Sequence, residues 1–241
     1  MADQEPDRVH WERVAREWTT WARKPGHDAF WSYRAALAAF IGSGSGEALD
    51  VGCGEGRVSR ELKALGWRVT ATDAVTAMVE AAREVDSADD YAVAPATALP
   101  FADGRFALVV AYNVLMDVDD VPAAVMEMRR VMRADGTLVV SIVHPFFDCG
   151  RFAGEEADAP FLIDGAYFGR RRFEGVEERD GLAMHFAGWS QPLQAYAAAL
   201  EGAGLAIVSL VEPPPDKATG RAERWARLPL FLWIKARVLA G

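Results

Sequence analysis

The sequence predicts a doubly wound α/β domain built on a mostly parallel sheet. Three observations carry this expectation. From Glu47 to Val143, short apolar runs of strand length alternate with amphipathic stretches of helix length, the pattern of successive β-α-β units. The first run ends directly in a glycine-rich turn, Gly52-Cys53-Gly54-Glu55-Gly56, which opens a helix. A chain of 241 residues, 51% of them hydrophobic, also fits one such domain with an elaboration better than two equal domains.

The elements follow in order. The opening segment, about Val9 to Leu37, is rich in tryptophan, and Val14, Trp18 and Trp21 recur at helical spacing. Lys24-Pro25-Gly26 breaks that helix, and a second is expected around Ala29 to Phe40. Residues 1–41 therefore read as an N-terminal helical cap, packed on the domain, lying over a ligand as a lid, or both. Gly42-Ser43-Gly44-Ser45-Gly46 is a flexible turn into the main domain, residues 42–241. Strand Glu47–Val51 precedes helix Gly54–Leu65, which Gly66 stops. Strand Trp67–Thr72, helix Thr76–Glu84, a weak strand Asp90–Val93 and a strong strand Phe106–Ala111 come next. Helix Val121–Met132 turns through Ala134-Asp135-Gly136 into strand Thr137–Val143. From His144 to about Gly188 the chain is rich in Phe, Gly and charge and has little periodicity. It reads as an insertion over about residues 145–190, with Leu182–Phe186 as a short strand over a pocket. Helix Pro192–Ala203, strand Ala206–Val211, a polar loop from Pro213-Pro214-Pro215 and strand Leu228–Val238 complete the fold.

Composition narrows the function. The net charge of −9 disfavours broad contact with nucleic acid, which needs a basic footprint. Cys53 and Cys149 are the two cysteines, and Cys53 sits inside the glycine turn, so a reduced, cytoplasmic setting is expected. The stretch from Met1 to Arg8 is polar and acidic with no apolar signal core, and no run approaches the roughly 18 apolar residues of a membrane span. No membrane partner and no metal site are expected, and the chain reads as a monomer or homodimer.

The glycine turn is the main chemical signal. Glycine there removes the side chain that would block a ligand from the backbone, and such turns lie at the carboxyl ends of strands, where open α/β sheets bind ligands. Asp73, 21 positions after Gly52, ends the second strand at an offset suited to hydrogen bonding ribose hydroxyls. A dinucleotide fingerprint, G-x-G-x-x-G, would need a small residue at position 57, where this chain has Arg57. The compact G-x-G-x-G fits a ligand with a nucleoside but no phosphates, which disfavours a nicotinamide dehydrogenase.

Ala48-Leu49-Asp50-Val51-Gly52-Cys53-Gly54-Glu55-Gly56 resembles the first motif of class I S-adenosylmethionine-dependent methyltransferases. Two further segments agree in order and spacing. The run Ala98 to Phe106 resembles the family's loop before the fourth strand, and Glu127 to Gly136 its helix and turn before the fifth. The resemblance covers about Glu47 to Val143. The flanking helices and tail are similar, more loosely, to the small-molecule, type 11-like members. It implies a Rossmann-like, seven-stranded sheet with an antiparallel last strand, S-adenosylmethionine as cofactor and a small organic acceptor.

Residue by residue, the resemblance assigns Gly52, Cys53, Gly54 and Gly56 to the methionine and ribose side, with Asp50 supporting the amino end. Asp73 would hold the ribose hydroxyls, Ala74 and Met78 would line the adenine, and Ala96 with Thr97 would meet its edge through the backbone. Tyr112 would wall the methionine portion. The family often has an aspartate just before the position of Ala96; this chain has Pro95, which leaves the adenine end to backbone contact and packing.

Methyl transfer from a sulfonium draws much of its acceleration from alignment, and needs a base only if the acceptor must lose a proton. Asp117 after the fourth strand and His144 after the fifth stand where such a base would act; His185 is a weaker candidate. The insertion, rich in Phe and Tyr, suits a partly aromatic or apolar acceptor pocket, and Arg170-Arg171-Arg172 either meets an acidic group or is a solvated charge run. An RNA or protein methyltransferase and a non-catalytic S-adenosylmethionine-binding module remain alternatives at this point.

Overall fold

The computed structural model describes residues 7–216 and 220–239. The first six residues of the polar N-terminal stretch, and residues 217–219 of the loop after the triple proline, lie outside them.

The helices are α1 (Asp7–Arg23), α2 (Phe30–Ile41), α3 (Arg57–Ala64), α4 (Thr76–Glu84), α5 (Val121–Val131) and α6 (Leu193–Gly202). The strands are β1 (Glu47–Val51), β2 (Arg68–Asp73), β3 (Asp90–Val93), β4 (Phe106–Tyr112), β5 (Met132–Val143), β6 (Gly150–Phe152), β7 (Phe161–Ile163), β8 (Arg171–Arg179), β9 (Leu182–Ser190), β10 (Leu205–Val211) and β11 (Phe231–Val238). Seven of them form one sheet in the order β10-β11-β5-β4-β1-β2-β3. Strands β3, β2, β1, β4 and β5 pair in parallel, and β11 runs antiparallel to both β5 and β10. This is the predicted doubly wound α/β sheet with its antiparallel last strand.

Alternate residues of the central strands feed two cores, because successive side chains leave a strand on opposite faces. Leu49, Val109 and Val140 join α5 and α6 through Val125, Met128 and Leu200. Ala48, Leu108, Val139 and Trp233 join α2 and α3 through Tyr33, Leu37 and Leu62. Burial on both faces is why β4 and β5 are near-continuous apolar runs.

Two differences from the expected pattern have physical causes. Strand β5 begins at Met132, ahead of the expected turn, because Met132 pairs with Phe106 while Thr137 pairs with Leu108. The residues between bulge outward, and Arg133, Ala134 and Asp135 are exposed. The insertion is also more regular than its sequence pattern. Strands β6 and β7 form one small antiparallel pair, and β8 and β9 form a hairpin registered from Arg171↔Ser190 to Arg179↔Leu182. Its turn is Asp180-Gly181 at φ 50° and 76°, the pair of positive φ values that a two-residue hairpin turn requires. Strand β8 carries exposed polar residues on both faces, so no alternation marks it in the sequence.

Helix α1 lies on that hairpin. Val14 and Trp21 pack on the fully buried Met184 of β9, with Trp18 and Phe186 alongside. Lys24 pairs with Asp180 at 3.1 Å, and Arg179 donates to the His27 carbonyl, so the hairpin tip grips the α1–α2 junction. No helix among the described residues is long and apolar enough to cross a membrane.

Candidate cofactor and acceptor site

A cavity of about 430 Å³ opens at the carboxyl ends of β1, β2 and β4, within the size range of roughly 300–1,000 Å³ usual for small-molecule sites. Its floor is the glycine turn. Gly52 and Gly54 stand at φ 67° and 54°, left-handed backbone that favours glycine. A Cβ on Gly52 would come within 2.5 Å of Val114, and one on Gly54 within 3.0 Å of the Trp18 indole nitrogen. The turn is thus pressed between β4's exit and α1. Gly56, at φ 89°, does not line the cavity; a Cβ there would strike Ser87 and crowd Ala82, so this glycine lets α3 pack close to α4.

Asp73, at the end of β2, accepts from the Gly54 N–H at 2.9 Å through Oδ2 and from the Val75 N–H at 2.9 Å through Oδ1. The backbone N–H of Ala74 also reaches this carboxylate, so it shapes the turn while keeping acceptor capacity for a ligand hydroxyl. Burial raises its pKa, against the backbone N–H groups that lower it. Asp50, on β1, accepts from Ser59 Oγ at 2.6 Å, and burial pushes its carboxyl up to about 7. Burial likewise pushes the Cys53 thiol well up. Glu55, the acid inside the turn, is fully engaged by Arg60 at 2.8 Å and Arg23 at 3.3 Å.

Asp50, Gly52, Cys53, Gly54, Asp73, Ala74, Met78, Ala96, Thr97 and Tyr112 all line the cavity. Pro95 lines it too, between Ala94 and Ala96. The Tyr112 hydroxyl is buried without a hydrogen-bond partner among the described residues.

Arg57 is the feature that sequence reasoning used only as a discriminator. Its guanidinium pairs with Asp28 of the α1–α2 junction and lies against three rings: Phe30 at 4.5 Å, Trp18 at 4.8 Å and Tyr112 at 5.7 Å. The residue after the third glycine therefore ties the N-terminal cap to the turn. The only trace of this in the sequence is an arginine opening a helix after an aromatic-rich segment.

The two candidate bases part company. Asp117 ends a 3₁₀ turn, Leu115–Asp117, that follows β4, and its carboxyl lines the cavity. Burial, with the charge of Asp73 added, pushes it well above the usual carboxylate range, and the Trp11 indole N–H opposes this. His144 does not line the cavity. Its Nε2 meets Glu212 Oε1 at 2.9 Å and its Nδ1 accepts from the Phe146 N–H at 3.1 Å, so the ring closes the turn after β5. Burial lowers the His144 pKa, and Glu212 opposes that. His185 also faces away, its Nδ1 3.1 Å from Glu17. Asn113, in left-handed backbone at φ 55°, lines the site and accepts from Ser141 Oγ at 2.8 Å; an asparagine directly after a strand was its signal.

The roof comes from two distant segments. Trp11 and Trp18 of α1, and Phe173, Phe186 and Ala187 of the hairpin, close the cavity above Asp117. In the three-arginine run, Arg170 stacks on Trp189 at 3.9 Å and donates to the Val118 carbonyl, and Arg171 donates to the Asp148 carbonyl.

Residues 49–140 match the family described as a methyltransferase domain. Among curated proteins, a malonyl-[acyl-carrier protein] O-methyltransferase of Enterobacter lignolyticus is 38% identical over 90 residues, 37% of this chain and 36% of that protein. A demethylmenaquinone methyltransferase of a Mycobacterium species is 37% identical over 115 residues, 48% of this chain and 49% of that protein. The chain thus spans about a third to a half of the curated relatives it matches. Among solved structures, an S-adenosylmethionine dependent methyltransferase from Mesorhizobium loti superposes with a TM-score of 0.66 at 25% identity, covering 87% of this chain and 98% of that one.

Proposed function

We propose, from the match of residues 49–140 to a methyltransferase domain and from the shared fold, that the chain binds S-adenosylmethionine and methylates a small organic molecule. The observation that carries this reading is one cavity shared by the left-handed Gly52–Gly54 backbone, the Asp73 carboxylate and the Asp117 carboxyl. The acceptors named for the curated relatives differ from each other, so they do not set the acceptor here.

The residues present fit the cofactor. Gly52 and Gly54 line the cavity with left-handed backbone packed against Val114 and Trp18, a course that a Cβ would obstruct. Asp73 keeps acceptor capacity for ligand hydroxyls beyond its backbone N–H partners, and Val75, Met78 and Pro95 offer an apolar slot for a purine. Asp50, reached through the turn, suits an ammonium. The cofactor supplies a methyl group already activated on a sulfonium. The protein's own work is to hold the acceptor in line beside it, exclude water beneath the Trp11–Phe186 roof, and take a proton where the acceptor must lose one. We give that last task to Asp117, which lines the cavity, rather than to His144, whose Nε2 meets Glu212.

Titration calorimetry tests the cofactor. S-adenosylmethionine and S-adenosylhomocysteine are expected to bind and NAD is not; binding of NAD alone would sink the reading. Asp73→Ala is expected to weaken cofactor binding by roughly 1–3 kcal/mol, the cost of leaving hydrogen-bonding groups unpaired. Unchanged affinity in that variant would refute the role given to Asp73.

A further inference from the structure

The carboxylates around the cavity differ in what holds them. The cationic side chains that line it, Arg8 and Arg57, are each committed elsewhere, to Glu12 at 2.8 Å and to Asp28. Of the lining carboxylates, Glu55 is held by Arg23 and Arg60, Asp73 by two backbone N–H groups and Asp50 by Ser59. At the mouth, Asp119 accepts from Trp189 Nε1 at 3.2 Å and Asp120 caps α5 through the Ala123 N–H at 2.9 Å. Asp117, like Asp50 and Asp73, has no cation among the described residues beside it, and its carboxyl stands near the Phe173 ring.

Its surroundings are aromatic. A Cβ on Gly188 would lie 2.8 Å from Asp117 Oδ1 and 2.9 Å from Phe173 Cζ, so the carboxyl and that ring stand side by side, brought together by a glycine in β9. Trp11 and Phe186 line the same cavity, and the buried Trp11 indole nitrogen has no hydrogen-bond partner among the described residues. One carboxylate ringed by aromatic faces is the arrangement that binds an organic ammonium, because the rings attract the cation and the carboxylate balances it. A carboxylic acid acceptor would instead set two like charges together, whereas an ammonium brings the countercharge that offsets the burial favouring the neutral Asp117 carboxyl.

Resting on the methyltransferase reading, we propose that the acceptor is an arylalkyl amine whose ammonium docks on Asp117 between Trp11 and Phe173. The ammonium gives one proton to the Asp117 carboxylate, which frees the nitrogen lone pair. That pair forms the new C–N bond, the sulfonium C–S bond breaks with its electrons left on sulfur, and the product leaves as an N-methyl ammonium. The Asp117 proton passes to solvent when the site opens.

The test is calorimetric and does not depend on turnover. Phenethylamine, tyramine and tryptamine are titrated into the protein alone and into the protein loaded with S-adenosylhomocysteine, beside 2-phenylethanol and 3-phenylpropionate. The amines are expected to bind about tenfold or more tightly than the matched alcohol and acid, the range of a hydrogen bond to a charged group. Asp117→Asn is expected to erase that preference while its affinity for S-adenosylhomocysteine stays at the wild-type value. Phe173→Leu, which keeps the carboxylate, is expected to cost the amines roughly 3- to 30-fold and the alcohol little. Equal binding of amine, alcohol and acid, no amine binding at all, or a preference that survives in Asp117→Asn would overturn the proposal. Failure of S-adenosylhomocysteine to bind, with the Asp117-dependent amine preference intact, would instead remove the cofactor reading and leave the amine site.

Discussion

Replacing Asp28 with alanine lowers the free energy of unfolding by about 3 kcal/mol, the low end of the cost of breaking a buried ion pair from one side. The reason lies with the partner. Arg57 keeps its guanidinium among Trp18, Phe30 and Tyr112, where its side chain is only 10% exposed, and Asp28 is the carboxylate paired with it. Asp28 also accepts from the Phe30 N–H at 3.0 Å, so the start of α2 loses an acceptor in the same change. Urea unfolding measures the effect directly. Pairing Asp28→Ala with Arg57→Met removes the stranded charge and fills the aromatic slot with an apolar chain. The double variant is therefore expected to be more stable than Asp28→Ala alone, which marks the two residues as coupled. Equal stability of wild type and Asp28→Ala would show that the pair does not hold the cap to the glycine turn.

Asp50 carries the second large effect, and its sign is opposite to that of an ordinary carboxylate. Its pKa is about 7 in the folded protein, against roughly 3.9 in an unfolded chain. The folded state therefore holds a proton that the unfolded state has lost throughout that interval. Its contribution is fully present below about pH 4 and is lost as pH rises to about 7, a total of roughly 4 kcal/mol. Asp50→Asn, which keeps an acceptor for Ser59, is expected to remove that part of the slope. The difference between wild-type and variant unfolding free energies from pH 4.5 to 8 isolates it from the other carboxyl groups. Parallel curves for the two proteins would refute the assignment. A ligand ammonium seated on Asp50 would also draw off the proton, so cofactor binding near pH 6.5 is expected to release protons, read as a heat that depends on the buffer's own ionisation enthalpy.

The central sheet was legible because its code is local. Glu47–Val51 and Asp90–Val93 form strands at the boundaries read from the sequence, and Thr76–Glu84 forms a helix at its own, since apolar period and turn residues decide each of them. The hairpin of β8 and β9 was half legible: the apolar stretch from Leu182 was read as a strand, while its polar partner from Arg171 was not. Asp180-Gly181 was the available turn signal, but β8 owes its shape to β9 and α1 rather than to a pattern of its own. The site divided in the same way. Positions on the turn and on β2 follow from spacing, and most of them line the cavity. Gly56 and His144 show what spacing cannot give: one glycine serves helix packing, and one histidine at a sheet's functional edge turns its ring toward Glu212. Asp117 and Asn113 gained their neighbours from β9 and β5, segments 28 or more positions away in the chain.

The roof over Asp117 is shared by helix α1 at the start of the chain and by a hairpin that ends at Ser190. During synthesis the glycine turn, Asp73 and β4 all leave the ribosome before Phe173 and Phe186 exist. The two halves of the cavity therefore mature at different times, with the turn and its carboxylate first and the aromatic enclosure only after residue 187 has emerged. Helix α1 can pack Trp11 and Trp18 against Val75 and Met78 once α4 has formed, but Val14 and Trp21 gain Met184 only when the hairpin arrives.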